Sequence, residues 1–139
     1  VGKVRGALGT IDGCRVGVLG LAFKPGTDDM RKAPSIDVIA HLEDLGAEVV
    51  ATDPVAIPEA RLVLPRTEMV ADPMECVRDV DAVVLVTEWP EYRELDWARD
   101  ASLVKRRIVV DGRNCLDGPV LARLGFAYVS VGRATLTPD

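Results

Sequence analysis

Arg15–Phe23 (RVGVLGLAF) runs straight into Lys24-Pro25-Gly26-Thr27-Asp28-Asp29-Met30-Arg31, and the change of character at that junction decides the fold. Nine residues rich in Val and Leu, closed by a Lys-Pro-Gly break, predict a strand covered on both faces. After the polar loop, Pro34–Leu45 carries Ile36, Ile39 and Leu42 as one stripe, flanked by Val38 and Leu45. Asp37, His41, Glu43 and Asp44 fall on the opposite side, so the spacing predicts a helix. Pro34 suits its first turn and Gly46 its stop.

The same alternation continues outward from this strand–loop–helix unit. Glu48–Asp53 reads as a second strand closed by Pro54, followed by a Pro-containing connection and a short helix over Pro73–Val80. Asp81–Thr87 (DAVVLVT) is a third apolar strand and Arg107–Asp111 a fourth, with a helix over Leu95–Lys105 between them. Pro119–Leu124 reads as a short helix and Phe126–Val131 as a last strand. Strands alternating with helices through short loops predict an α/β, Rossmann-like three-layer αβα domain with a mostly parallel sheet. Val1–Gly13 looks different, a helix tail and an Asp12-Gly13 turn without a core stripe of its own. Residues 1–12 are therefore assigned to a lead-in helix and linker, and 13–139 to the domain.

Composition narrows the function classes. The 139 residues are 48% apolar and 28% charged, as in ordinary globular domains, and the formal charge is −5. That balance argues against non-specific nucleic-acid binding. There is no apolar run of the roughly 20 residues that span a bilayer and no N-terminal signal pattern, which makes a cytoplasmic domain without a membrane partner the expectation. Cys14, Cys76 and Cys115 are odd in number and far apart, and with His41 as the one histidine they provide no metal spacing. The thiols read as reduced and structural, and His41 as solvated.

In open α/β sheets ligands bind beyond the carboxyl ends of the strands. Lys24, Arg31 and Arg113 stand at such ends in an otherwise acidic chain. Cations near a helix start suit a phosphate; the alternative on spacing alone is that they are solvated or pair with Asp28 and Asp29. No G-x-G-x-x-G follows the first strand, because Phe23-Lys24-Pro25 fills the turn where glycines would admit pyrophosphate. Asp53 reads as a turn cap before Pro54 rather than a ribose ligand. A phosphate-accepting receiver domain shares this sheet type, but the acidic pair is displaced from the strand end and the fourth strand leads to Asp111-Gly112-Arg113 in place of a lysine.

Gly20–Arg31 (GLAFKPGTDDMR), continuing Lys32-Ala33-Pro34-Ser35, resembles the signature that opens the UDP-binding domain of UDP-glucose 6-dehydrogenases. Ala51-Thr52-Asp53-Pro54, Leu85–Trp89 (LVTEW), Asp111–Asn114 (DGRN), Gly125-Phe126 and Ser130–Arg133 resemble later segments of that family, in order. The resemblance implies an enzyme of two Rossmann-like domains joined by a long helix, which oxidises UDP-glucose to UDP-glucuronate with NAD. It implies that Phe23, Lys24 and Arg113 contact the UDP-sugar, with Lys24 and Arg113 projecting from adjacent strand ends into one crevice. It also implies that Arg31 reaches toward NAD held mainly by the N-terminal domain. The partners implied are UDP-glucose or UDP and the NAD-binding and central-helix regions of the same enzyme. The family's Gly-Gly-Ser-Cys nucleophile segment is absent from this sequence, so no catalytic residue is assigned and the chain is expected to bind without oxidising. GDP-mannose and UDP-N-acetylmannosamine dehydrogenases share the loop, and a stand-alone nucleotide-sugar sensor is the alternative from another class.

Overall fold

The computed structural model describes residues 2–131 and 134–137. Helix α1 (Gly2–Leu8) precedes strand β1 (Arg15–Leu19), and α2 (Pro34–Asp44) leads to β2 (Glu48–Thr52). Then come α3 (Ile57–Val63), β3 (Glu68–Met69), α4 (Pro73–Val77) and β4 (Ala82–Leu85). The chain continues through α5 (Pro90–Arg93), α6 (Trp97–Leu103), β5 (Ile108–Asp111), α7 (Gly118–Arg123) and β6 (Ala127–Ser130). The six strands pair in parallel in the order β3-β2-β1-β4-β5-β6. That order reverses between β1 and β4, which is the switch point of a doubly wound sheet. Leu136 returns antiparallel to Tyr128.

Strand periodicity explains the three layers. Val16 and Val18 of β1, Ala82 and Val84 of β4 and Ile108 and Val110 of β5 face one layer, against Val4, Leu8, Ile39, Leu42 and Ala60 of α1, α2 and α3. The intervening Leu19, Val83, Leu85 and Val109 face the other, against Cys76, Val77, Trp97, Ala101 and Leu121 of α4, α6 and α7. Trp97 meets Phe126 edge-on at 5.9 Å between ring centroids. Gly17 is where α4 crosses β1 most closely: a Cβ there would lie 2.4 Å from the Cys76 carbonyl oxygen.

Several expectations need correction. The first segment does have a core stripe, since Val4, Leu8 and Ile11 are buried in the first layer at helical spacing. The first strand stops at Leu19 rather than Phe23, because Gly20 adopts φ +98° and the next N–H groups leave the ladder. The Pro-containing connection hides α3 and β3. Helix α3 has no readable stripe: Ala60 is its buried residue, and Leu62 and Val63 face outward. Among the described residues no helix is long and apolar enough to cross a membrane, and no group of His, Cys, Asp or Glu could hold a metal.

One buried carboxylate sits awkwardly in the second layer. Asp100 of α6 has a side chain only 1% exposed, with a single long contact of 3.5 Å to Arg99, and its Oδ2 accepts no hydrogen bond among the described residues. Burial raises its pKa above 3.8, outweighing Arg99, while Asp96 and Asp72 push the same way. An acid with a raised folded pKa favours folding while protonated, so this contribution is present at low pH and is lost as pH climbs from 3.8 through the folded value. Asp100→Asn should therefore stabilise the chain by about 1 kcal/mol at pH 7. The gain should vanish in acid, and urea unfolding at pH 3 and pH 7 is the comparison. An equal gain at both pH values would refute the assignment.

Candidate functional site at the sheet switch point

The loop after β1 is held from beneath by a single carboxylate. Asp53, 3% exposed, accepts Leu21 N–H at 2.8 Å, Ala22 N–H at 3.0 Å and the Trp89 indole N–H at 3.1 Å on Oδ2. Its Oδ1 accepts the N–H groups of Val55 and Ala56, at 3.0 and 2.9 Å. The turn-capping role read from the Asp-Pro step is thus present, and the same carboxylate ties three loops together. Thr87 adds a bond from Oγ1 to the Ala22 carbonyl at 2.7 Å, and Ser35 of α2 one to the Leu21 carbonyl at 2.6 Å.

Beyond these anchors the loop turns outward. Phe23 N–H donates to Asp29 at 2.8 Å and closes the loop, while Met30 and Ala33 drop back into the first core layer. Phe23 is 50% exposed, and Lys24 is exposed beside it. An exposed aromatic next to an exposed ammonium presents an apolar plate and a positive charge. Arg31 forms a fork with Asp29, Nε to Oδ1 at 3.1 Å and Nη2 to Oδ2 at 3.0 Å. The bond from Arg31 lowers the Asp29 pKa, and the reciprocal bond raises that of Arg31. Residues Thr27 to Lys32 line an open cavity of about 750 Å³ whose far wall includes Glu59, Leu62 and Val63.

Arg113 occupies the loop after β5. Asp111, fully buried, accepts Arg113 N–H at 3.0 Å on Oδ1. Its Oδ2 takes Cys115 N–H, Leu116 N–H and the Tyr128 hydroxyl at 2.9, 2.8 and 2.7 Å. The Asn114 side chain and the Val131 backbone exchange two bonds of 2.9 Å. The Arg113 guanidinium pairs with Glu88 and borders a mostly apolar cavity of about 410 Å³ lined by Val4, Pro34, Val38 and Val86. The hydrogen bond to Glu88 raises the Arg113 pKa.

Lys24 and Arg113 therefore share the carboxyl edge, but not adjacent strand ends. They follow β1 and β5, and β4 lies between. Strand order is a tertiary outcome, invisible in the linear pattern. Glu88 and the double role of Asp53 were also missed; the Thr-Glu-Trp and Asp-Pro steps mark both places, but only three-dimensional pairing assigns the contacts. Gly132 and Arg133 of the last resembling segment lie outside the described residues.

The turn after β1 does not fit the pyrophosphate of a dinucleotide. Such a turn offers free backbone N–H groups, whereas here Leu21 and Ala22 spend theirs on Asp53. Cys76 and Cys115 are equally unsuited to attack. Burial pushes Cys76 up to about 12, and burial, then the Asp111 charge, pushes Cys115 up to about 11.

The UDP-glucose/GDP-mannose dehydrogenase family, UDP binding domain, matches residues 17–118, a span that runs from β1 into α7 and holds every candidate residue above. The chain belongs to this family. It is 40% identical over 134 residues to the UDP-glucose 6-dehydrogenase TuaD of Bacillus subtilis (strain 168), covering 96% of this chain and 29% of that protein. The structure of a UDP-glucose dehydrogenase from the hyperthermophilic archaeon Pyrobaculum islandicum superposes with a TM-score of 0.81 at 37% identity, over 96% of this chain and 28% of that one. An NDP-N-acetyl-D-galactosaminuronic acid dehydrogenase from Methanosarcina mazei Go1 superposes at 0.82 with 28% identity, over 94% and 28%. The chain thus spans somewhat under a third of these relatives' length.

Proposed function

We propose that this chain is the UDP-sugar-binding domain of an NAD-dependent UDP-glucose 6-dehydrogenase that oxidises UDP-glucose to UDP-glucuronate. The observation that carries the reading is the loop after β1, pinned by Asp53 and Thr87 so that Phe23 and Lys24 stand exposed at the switch point. Lys24 supplies a mobile point charge for the diphosphate, and Arg113 a planar fork for phosphate or carboxylate. Phe23 gives the sugar or base an apolar face. NAD, the hydride acceptor, would be held mainly by the NAD-binding region of the same enzyme, with Arg31 reaching toward it. Residues 1–12 would be the tail of the helix that joins the two regions, with its linker.

On this reading the chain binds a nucleotide sugar without oxidising it, because Cys14 and Cys76 are buried and the half-buried Cys115 thiol is pushed up to about 11. Calorimetric titration with UDP and UDP-glucose should show saturable binding. Lys24→Ala and Arg113→Ala should each weaken it by about 1–3 kcal/mol, the range for lost charge-assisted hydrogen bonds. Binding indifferent to both changes would remove the site assignment. The superposition on an N-acetylated nucleotide-sugar dehydrogenase makes a substrate panel the natural companion. Tighter binding of GDP-mannose or a UDP-N-acetyl sugar than of UDP-glucose would reassign the sugar and leave the fold and site in place.

A further inference from the structure

We propose that Glu88 is a positioning residue for Arg113, holding one edge of the guanidinium so that the other faces a nucleoside diphosphate. The inference rests on the proposed function and begins with how the chain presents Glu88. Its two neighbours are buried and bonded: Thr87 Oγ1 donates to the Ala22 carbonyl at 2.7 Å, and the Trp89 indole to Asp53 at 3.1 Å. Trp89 N–H also donates to the Thr87 carbonyl at 3.0 Å, tightening the turn between them. Glu88 is thereby fixed at the backbone, with its side chain one-third exposed. Thr-Glu-Trp acts as a clip with two buried ends and one carboxylate directed at the neighbouring loop.

Arg113 is prepared in the same way. Asp111 holds its N–H, and the paired bonds between Asn114 and Val131 brace the loop behind it. The guanidinium then gives Nε to Glu88 Oε2 and Nη2 to Oε1, the latter at 3.2 Å. Among the described residues Nη1 has no acceptor. A guanidinium can bind through its side edge, Nε with one Nη, or through its end edge, the two Nη groups. Glu88 takes the side edge, which leaves the end edge to an incoming phosphate. Arg31 is held by Asp29 through the same Nε and Nη2 pairing, so both arginines proposed to meet ligand are oriented by a carboxylate of this chain.

The alternatives make different physical demands. An exposed pair of this kind contributes little to folding, so a strut for the fold is a poor account of Glu88. A competitor that phosphate must displace would need to occupy the end edge, and it does not. What the pair does provide is order: a long, half-exposed side chain that would otherwise lose rotamer freedom on binding is already in one orientation.

The test is a double-mutant cycle read by calorimetric titration of UDP, with urea unfolding of each variant in parallel. Glu88→Ala should raise the Kd for UDP roughly three- to tenfold. Glu88→Gln, which keeps one acceptor, should fall between it and the parent, with unfolding midpoints unchanged. In the Arg113→Ala background Glu88→Ala should add nothing, because the side chain it orients is gone. Unchanged or tighter binding by Glu88→Ala, in a chain where Arg113→Ala weakens binding, would overturn the positioning role and leave the proposed function standing. Binding that ignores Arg113→Ala would remove both.

Discussion

Asp53→Ala should lower the stability of this chain by about 3–5 kcal/mol, roughly 10–20 °C in Tm for a domain of this size. Five N–H groups converge on the carboxylate, and apart from Val55 the residues that donate them are buried. A buried donor left without a partner costs about 1–3 kcal/mol, and neighbouring donors do not add in full. The sharper variant is Asp53→Asn. It keeps the shape and the Oδ1 acceptor, but if the amide nitrogen replaces Oδ2 it turns a donor against three other donors; if it is flipped, it faces the two from Val55 and Ala56. Asparagine should therefore be nearly as harmful as alanine, which would not hold if Asp53 merely filled space. Urea unfolding checks both, and an Asp53→Asn chain with parental stability would refute the network. UDP binding should weaken as well, since the loops carrying Lys24 and Glu88 are joined through this residue.

Gly20→Ala should cost about 3–4 kcal/mol, from two separate sources. The backbone there has φ +98°, a conformation side-chain-bearing residues rarely adopt, and a Cβ would lie 2.5 Å from both the backbone nitrogen and the Cβ of Thr87. Neither contact can be relieved by rotating a side chain, because both atoms are fixed by the backbone just past β4. Gly26 separates the two contributions: its φ is +86°, yet nothing lies within 4 Å of the added Cβ. Gly26→Ala should show the conformational cost alone, about 1–2 kcal/mol. Equal losses at the two positions, measured by urea unfolding, would show that the approach to Thr87 is not the constraint. Parental UDP binding in a folded Gly20→Ala chain would show that the β1–β4 junction does not position the site.

These two positions also mark how far linear reasoning reached. Gly20 lay inside an apolar run read through to Phe23, and nothing in that run marked it as the point where the chain leaving β1 meets Thr87, two residues past β4. Asp53 was legible as a turn former, because Asp before Pro caps locally. Its bonds to Leu21, Ala22 and Trp89 span 31 to 36 residues and follow no periodicity. Helix α3 was missed for the opposite reason: its outward Leu62 and Val63 break the apolar stripe that makes a helix readable. Glu88 stood in the Leu85–Trp89 segment without a role of its own, because its partner lies 25 residues on.

By itself the sequence determined the α/β class, the places of its apolar strands, the extent of α2, and the family whose loop follows β1. Each of these is written in local periodicity, in turn chemistry or in a contiguous motif, so each survives without knowledge of contacts. The tertiary structure decided that β4 separates the strands that lead to Lys24 and Arg113, that Asp53 occupies the N–H groups a dinucleotide would need, and that Glu88 holds Arg113. The physical reason is the range of the interactions. Burial stripes and turns are set within a few residues, whereas a carboxylate's partners are chosen by the order in which parallel strands assemble.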